Sequence, residues 1–179
     1  MELKARLMDE SAVNRSLARI AHEIIEKDNG AKDICLLGIK RRGIPLSLIL
    51  RDNILKFEGI EVPAGEIDIS LYRDDLSEIS DLPRTTGCTI PCELKDKTII
   101  LVDDVLYTGR TARAAIDAVF DHGRPSRIQL AVLIDRGHRE LPIRPDFIGK
   151  NVPTSKNELI AVKLDEIDGE TAVDLYTLD

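Results

Sequence analysis

The chain has 179 residues, 43% hydrophobic but only 3% aromatic, with a formal charge of −7 from 25 Lys and Arg against 32 Asp and Glu. That length suits one domain, residues 1–179, with a sizeable core, and no apolar stretch approaches the roughly 20 residues of a membrane-spanning helix. The acidic balance excludes binding of nucleic acid through bulk charge and leaves only a local basic patch for it.

Met1 to Asp9 mixes charged and apolar side chains with no signal-peptide or transit-peptide pattern, and the three cysteines, an odd number, suit a reducing compartment. A cytoplasmic location without membrane attachment is the expectation. From Ser11 to Lys27 the apolar residues Val13, Leu17, Ile20, Ala21, Ile24 and Ile25 fall on one helix face, with Gly30 just past the end. Ile34 to Leu37 predicts a strand, followed by a loop between Gly38 and Gly43 and a helix starting near Pro45. Gly65 to Tyr72 alternates apolar and polar residues, which predicts another strand.

Periodicity is lost from Arg73 to Lys95, longer than the roughly 12–15 residues usual for a loop inside a compact domain. Such a stretch reads as a lid or as a plain surface loop. Cys88 and Cys92 lie in it four residues apart, but the histidines are scattered at His22, His122 and His138, so no zinc site is expected. Thr98 to Val102 is a continuous apolar run. Helical spacing of Ala112, Ala115, Ile116, Val119 and Phe120 follows, closed by Gly123. Further strands are predicted at Ile128 to Ile134, Leu159 to Leu164 and Val173 to Tyr176, the last after an Asp168-Gly169 turn. The alternation predicts an α/β fold with a mainly parallel sheet and antiparallel strands at the C-terminal end.

The strongest chemical signal is the run Ile99-Ile100-Leu101-Val102-Asp103-Asp104-Val105-Leu106-Tyr107-Thr108-Gly109-Arg110-Thr111. A loop at a parallel strand's carboxyl end faces the ligand crevice, and the helix after it offers unpaired N–H groups to a phosphate. Thr108 and Thr111 add hydroxyls, and Gly109 lets the backbone close around the anion. Two carboxylates beside a phosphate would repel it, so their expected partners are ribose hydroxyls and Mg²⁺. A polar turn at a strand end is the bland alternative, and Asp-Asp alone would not displace it.

This run resembles the signature of type I phosphoribosyltransferases. Nearly the whole chain is similar to one subfamily, the bifunctional pyrimidine operon attenuation regulators and uracil phosphoribosyltransferases. The similarity is carried by Ala21-His22-Glu23, Gly38-Ile39-Lys40-Arg41-Arg42-Gly43, Asp68-Ile69-Ser70-Leu71-Tyr72-Arg73-Asp74-Asp75-Leu76 and Arg136-Gly137-His138-Arg139-Glu140-Leu141-Pro142. The resemblance implies a type I phosphoribosyltransferase fold with a small base-binding hood at about 136–165. It also implies a reaction in which uracil and 5-phosphoribosyl-1-pyrophosphate (PRPP), with Mg²⁺, give UMP and pyrophosphate.

By the same resemblance, residues 103–111 hold PRPP, Lys40, Arg41 and Arg42 form the pyrophosphate loop, and Arg73 opens a mobile catalytic loop at about 73–95. Asp103 would hold the ribose hydroxyls. Asp104 would stand near the reacting base, either taking a proton or steadying positive charge on the ribose. Residues 146–150 together with 159–165, including Leu159 and Ile160, resemble the hood that binds the base through backbone groups. Asp103, Asp104 and Asp165 are the candidate Mg²⁺ ligands. Purine-using relatives place an aromatic ring near the position of Glu158, and no aromatic occurs from Ile148 to Val173, which fits a pyrimidine.

Arg15, Arg19 and His22 follow i, i+4, i+7 on the first helix, and Arg136, His138, Arg139, Arg144 and Lys150 form a second basic group. Solvated surface charge is the bland reading. The resemblance implies instead that both groups bind a hairpin in the leader of pyrimidine-operon mRNA, with UMP or UTP favouring the complex, and that the chain forms homodimers that assemble further. Two residues depart from the family pattern: Ala18 stands where many of these regulators have Thr, and Arg41 replaces a common Thr.

Overall fold

A computed structural model describes residues 1–73 and 87–178. Most of the stretch expected to form the catalytic loop, residues 74–86 with Asp74 and Asp75, lies outside the described residues. The elements in chain order are β1 (Glu2–Met8), α1 (Glu10–Lys27), β2 (Ile34–Ile39), α2 (Gly43–Glu58), β3 (Ala64–Ile67), β4 (Thr98–Leu106), α3 (Arg110–His122), β5 (Arg127–Asp135), β6 (Phe147–Asn151), β7 (Glu158–Lys163), α4 (Asp165–Asp168) and β8 (Ala172–Thr177).

Five strands form a parallel sheet in the order β3-β2-β4-β5-β6. All six residues of β2 are buried, as a strand covered on both faces requires, which explains its unbroken apolar sequence. One core lies under α1 and α2, where Leu17, Ile20, Leu46 and Leu50 meet Ile100 and Val102. The other lies under α3, where Ala112, Ala115 and Val119 meet Ile99, Leu101 and Val132. From β2 the chain turns outward to β3, whereas from β4 it turns the other way to β5. The loops after β2 and β4 therefore flank the point where the winding reverses, the place where open α/β sheets make their ligand crevice.

Several boundaries differ from the sequence expectations. Helix α1 starts at Glu10 because the Asp9 carboxylate caps it, accepting from Ala12 N at 2.8 Å. The strand expected over Gly65 to Tyr72 ends at Ile67. Asp68 Oδ1 accepts from both Ser70 N (3.0 Å) and Ser70 Oγ (2.6 Å), a local turn that competes with the ladder. Strand β4 runs on through Asp103 and Asp104 to Leu106, so the acidic pair stands in the strand's last turns of pleat and not in a loop. The segment 146–150, expected in the hood, forms the edge strand β6 instead. Phe147 is buried in the larger core, and Gly149 lies so close to β5 that a Cβ there would stand 2.4 Å from the Leu133 carbonyl oxygen.

The antiparallel strands are a separate three-stranded sheet in the order β1-β8-β7, and its first strand comes from the N-terminus. Charge pairs hold β1 there. Asp174, fully buried on β8, accepts from Arg6 Nε at 2.9 Å and faces Lys163 Nζ at 3.0 Å, while Lys4 pairs with Glu158 on β7. The Arg6 hydrogen bond holds the Asp174 carboxyl below the usual carboxylate range. This small sheet and α4 stand apart from the parallel sheet.

Candidate active site

The loop after β2 lies flat on β4, and two glycines make that approach possible. A Cβ on Gly43 would stand 2.2 Å from the Val102 carbonyl oxygen, and one on Gly38 would stand 2.5 Å from the Gly43 oxygen. Between them lie Lys40, Arg41 and Arg42, with a cis Lys40–Arg41 peptide. Lys40 N donates to Ile67 O at 2.9 Å, and its Nζ lies 3.4 Å from Asp68 Oδ2. Arg42 Nη2 reaches across to Asp168 Oδ1 at 2.8 Å, which ties the loop after β2 to α4. Arg41 is exposed. Three cations at the end of β2 make this loop suited to an anionic group.

At the end of β4, Asp103 and Asp104 are both half-buried, and each turns one oxygen back onto the strand. Asp103 Oδ1 accepts from Asp104 N, and Asp104 Oδ1 from Val105 N, both at 2.9 Å. Burial, reinforced by the adjoining Asp104 charge, pushes the Asp103 carboxyl well above the usual range. A cation beside the pair would relieve both causes. That donor set fits Mg²⁺, which takes one or two protein carboxylates and fills its shell from water and substrate oxygens. Asp165 does not join them: among the described residues no three His, Cys, Asp or Glu side chains converge. It lies exposed at the start of α4, with its N–H donating to Thr171 Oγ1.

Thr108 to Thr111 lead directly into α3. Gly109 adopts φ +95°, a left-handed conformation that favours glycine, and the first N–H of the helix, Arg110 N, donates to Thr108 Oγ1 at 3.3 Å. The first-turn N–H groups of α3 and the Thr108 and Thr111 hydroxyls are thus the donors this loop can offer to a phosphate. The loop is held from behind by the chain after β5. Thr108 O accepts from Glu140 N (2.9 Å) and Leu141 N (3.2 Å), and Arg110 Nε donates to Glu140 Oε2 at 2.9 Å.

The structure divides the expected basic residues into two kinds. Arg15, Arg19 and Lys150 come together around a cleft of about 350 Å³ floored by Leu7, Met8 and Ala12. Arg19 also donates to the Ile148 and Gly149 carbonyls of β6 and pairs with Glu23. His22 stacks on Phe57 with ring centroids 3.8 Å apart, and Arg144 is exposed. The second kind is turned inward. Arg139 is only 21% exposed, and its guanidinium bonds Asp135, Tyr107 O and Ile143 O. His138 Nε2 donates to Thr154 O, which requires the Nε2-protonated ring.

Sequence reasoning missed the use of Arg136, Asp135 and Asp168. Arg136 is 6% exposed, stacks 4.1 Å from the Tyr107 ring centroid, and donates to Glu158 O at 2.7 Å and Thr154 Oγ1 at 3.1 Å. It therefore links the phosphate loop to the start of β7, where Leu159 is half-buried and Ile160 buried. A signal was present: Ile134-Asp135-Arg136-Gly137 ends a parallel strand beside β4, in the same crevice. Arg73 is exposed at the last residue described before the gap, 20-odd residues upstream of β4.

Comparison with known proteins agrees with this geometry. The family model described as "Phosphoribosyl transferase domain" matches residues 5–167. The chain is 58% identical over 176 residues to the "Bifunctional protein PyrR" of Clostridium perfringens, covering 98% of this chain and 99% of that one. It is 59% identical, with the same coverage, to the protein of that name from Clostridium kluyveri. Among solved structures, a hypoxanthine phosphoribosyltransferase of Trypanosoma cruzi superposes with a TM-score of 0.75 over 99% of this chain and 98% of that one. At 16% identity that likeness shows the fold alone. A crevice at the winding reversal, two loops suited to phosphates and relatives matching end to end lead to one conclusion: this chain belongs to the phosphoribosyltransferase family, in its branch of bifunctional PyrR proteins.

Proposed function

We propose that the protein transfers the phosphoribosyl group of PRPP to uracil, and that with a uridine nucleotide in the same crevice it binds the leader hairpin of pyrimidine-operon mRNA. The observation that carries the enzymatic reading is the pairing of Asp103-Asp104 and the Thr108–Thr111 loop on β4 with the cationic loop of β2 across one crevice. Lys40, Arg41 and Arg42 receive the leaving pyrophosphate. Residues 103–111 hold the ribose and its 5′-phosphate, Asp104 faces the reacting centre, and Arg73 opens the segment that excludes water from it. Asp103 and Asp104 would hold Mg²⁺, which would supply charge neutralisation for the departing pyrophosphate.

Uracil is favoured over a purine by the hood. Glu158, where purine-using relatives carry an aromatic ring, is buried and turned away to Lys4 and Ser155 N, so β7 offers Leu159 and Ile160 and no ring to stack on a larger base. The RNA reading rests on Arg15, Arg19 and Lys150 around one cleft, with His22 and Arg144 as further contacts. Phosphate contacts there supply affinity, and unpaired loop bases supply sequence choice. The protein works in the cytoplasm as a homodimer that assembles further; among the described residues no helix is long and apolar enough to cross a membrane.

Labelled uracil, hypoxanthine, guanine and orotate, each offered with PRPP and Mg²⁺, test the enzymatic reading. Uracil alone should be converted, with the product co-migrating with UMP. Faster conversion of hypoxanthine or guanine would overturn the assignment of the base.

A further inference from the structure

Arg139 stands in the basic segment that the RNA reading uses, yet its guanidinium is not presented to solvent. Its Nε donates to Ile143 O (2.8 Å), Nη1 to Tyr107 O (2.7 Å) and Nη2 to Asp135 Oδ2 (2.7 Å). These partners belong to three pieces of chain: the phosphate loop, the end of β5, and the residue before Arg144. Beside it, Glu140 N and Leu141 N both donate to Thr108 O, and Arg110 pairs with Glu140. Gly109 sits against the same segment, where a Cβ would meet Arg139 Cδ and Leu141 Cβ at 3.5 Å. The phosphate loop and residues 139–143 are therefore bonded to each other at several points.

We propose that Arg139 is a positioning residue that braces the phosphate loop and carries its state to the RNA-facing chain at Arg144, and that it does not itself contact RNA. The inference rests on the function proposed above. A nucleotide phosphate orders Tyr107 to Thr111. The bonds through Tyr107 O and Thr108 O then fix residues 139–143, and the exposed Arg144 is delivered in one geometry. The coupling free energy between the two sites is the difference in these bonds between the ordered and loosened loop. A planar fork with donors in three directions is needed at this position, and an ammonium group cannot replace it.

The test compares Arg139→Lys and Asp135→Asn with the unaltered protein. Three quantities are read: the KM for PRPP against kcat, UMP binding by calorimetry, and leader-hairpin affinity with and without UMP over a salt series. Arg139→Lys keeps the charge and loses the fork. We expect its KM for PRPP to rise about tenfold, the effect of one or two lost charge-assisted bonds, with kcat changing less. UMP should bind more weakly and no longer strengthen RNA binding, while the salt slope stays that of the unaltered protein. Asp135→Asn should behave alike, although it removes an acid and leaves every cation in place.

A direct contact between Arg139 and an RNA phosphate predicts the reverse signs. Arg139→Lys would then leave PRPP and UMP binding unchanged, and Asp135→Asn, by removing a negative charge and freeing Arg139, would tighten RNA binding. Either result overturns the brace. If the unaltered protein formed no UMP and bound no RNA, the proposed function would fall and the brace with it. If it did both and the variants matched it, the brace alone would fall.

Discussion

Replacing Asp104 with Asn is expected to lower UMP formation by about 10²- to 10⁴-fold, the usual contribution of a positioned acid-base group, while leaving the affinity for leader RNA nearly intact. The substitution is isosteric, and the amide oxygen can still accept from Val105 N as the carboxylate does at 2.9 Å. The end of β4 therefore keeps its shape, and what is lost is a negative charge beside the reacting centre. Asp103 feels that loss directly. Its carboxyl is held up by burial and then by the Asp104 charge, so with Asn beside it the Asp103 pKa falls back toward the usual range. Arg15, Arg19 and Lys150 lie around a separate cleft between α1, β1 and β6. Steady-state turnover and an RNA titration on the same preparation check the separation. Equal loss of both activities would mean that the two faces are not independent.

Gly43→Ala is expected to damage both the fold and the binding of PRPP. The new Cβ would stand 2.2 Å from the Val102 oxygen, a backbone atom of the central strand, so no side chain can swing away to relieve the clash. The loop carrying Lys40, Arg41 and Arg42 must lift from β4, and the first turn of α2 with it. Overpacking of this kind costs about 1–3 kcal/mol, which for a chain of this size lowers the unfolding midpoint by about 2–4 °C per kcal/mol. The functional effect should be larger than the structural one, because a lifted loop no longer places its cations at the pyrophosphate. The KM for PRPP should rise by more than the tenfold expected for a single lost bond. Gly59→Ala is the control. It has open space but a φ of +72°, so it should lower the midpoint through backbone strain and leave the KM unchanged. Equal KM values for the two variants would refute the role given to the close approach.

The strand, acidic pair and helix that frame residues 103–111 were legible because every layer of their signal is local. The apolar run of β4, the acidic pair, Gly109 and the helical spacing of α3 lie within 25 consecutive residues, Thr98 to His122. Gly38 and Gly43 were legible for the same reason, although what they approach, the Val102 carbonyl, could be seen only after folding. Strand β1 was legible only in part. Its alternation of charged and apolar residues is itself a strand signal that was passed over, whereas its place was hidden because the partners of those charges, Asp174 for Arg6 and Glu158 for Lys4, lie more than 150 positions away. The strand expected through Tyr72 was lost to a competing local bond, the Asp68 carboxylate capturing Ser70.

Charge counts fared worst, and for a physical reason. Arg19, Arg136 and Arg139 look alike as letters, yet Arg136 is a buried strut under Tyr107 and Arg139 is committed to three acceptors. Whether a cation faces solvent is decided by the carbonyls and carboxylates that folding brings to it, and a basic cluster in sequence does not reveal that.

Titration of the leader hairpin RNA with and without UMP, repeated over a salt series, tests most directly whether this chain couples a nucleotide in the crevice to RNA on its basic face. The coupling predicts tighter binding with UMP at every salt concentration, and log affinity falling linearly with log salt as phosphate contacts require. Identical RNA affinity with and without saturating UMP would contradict it.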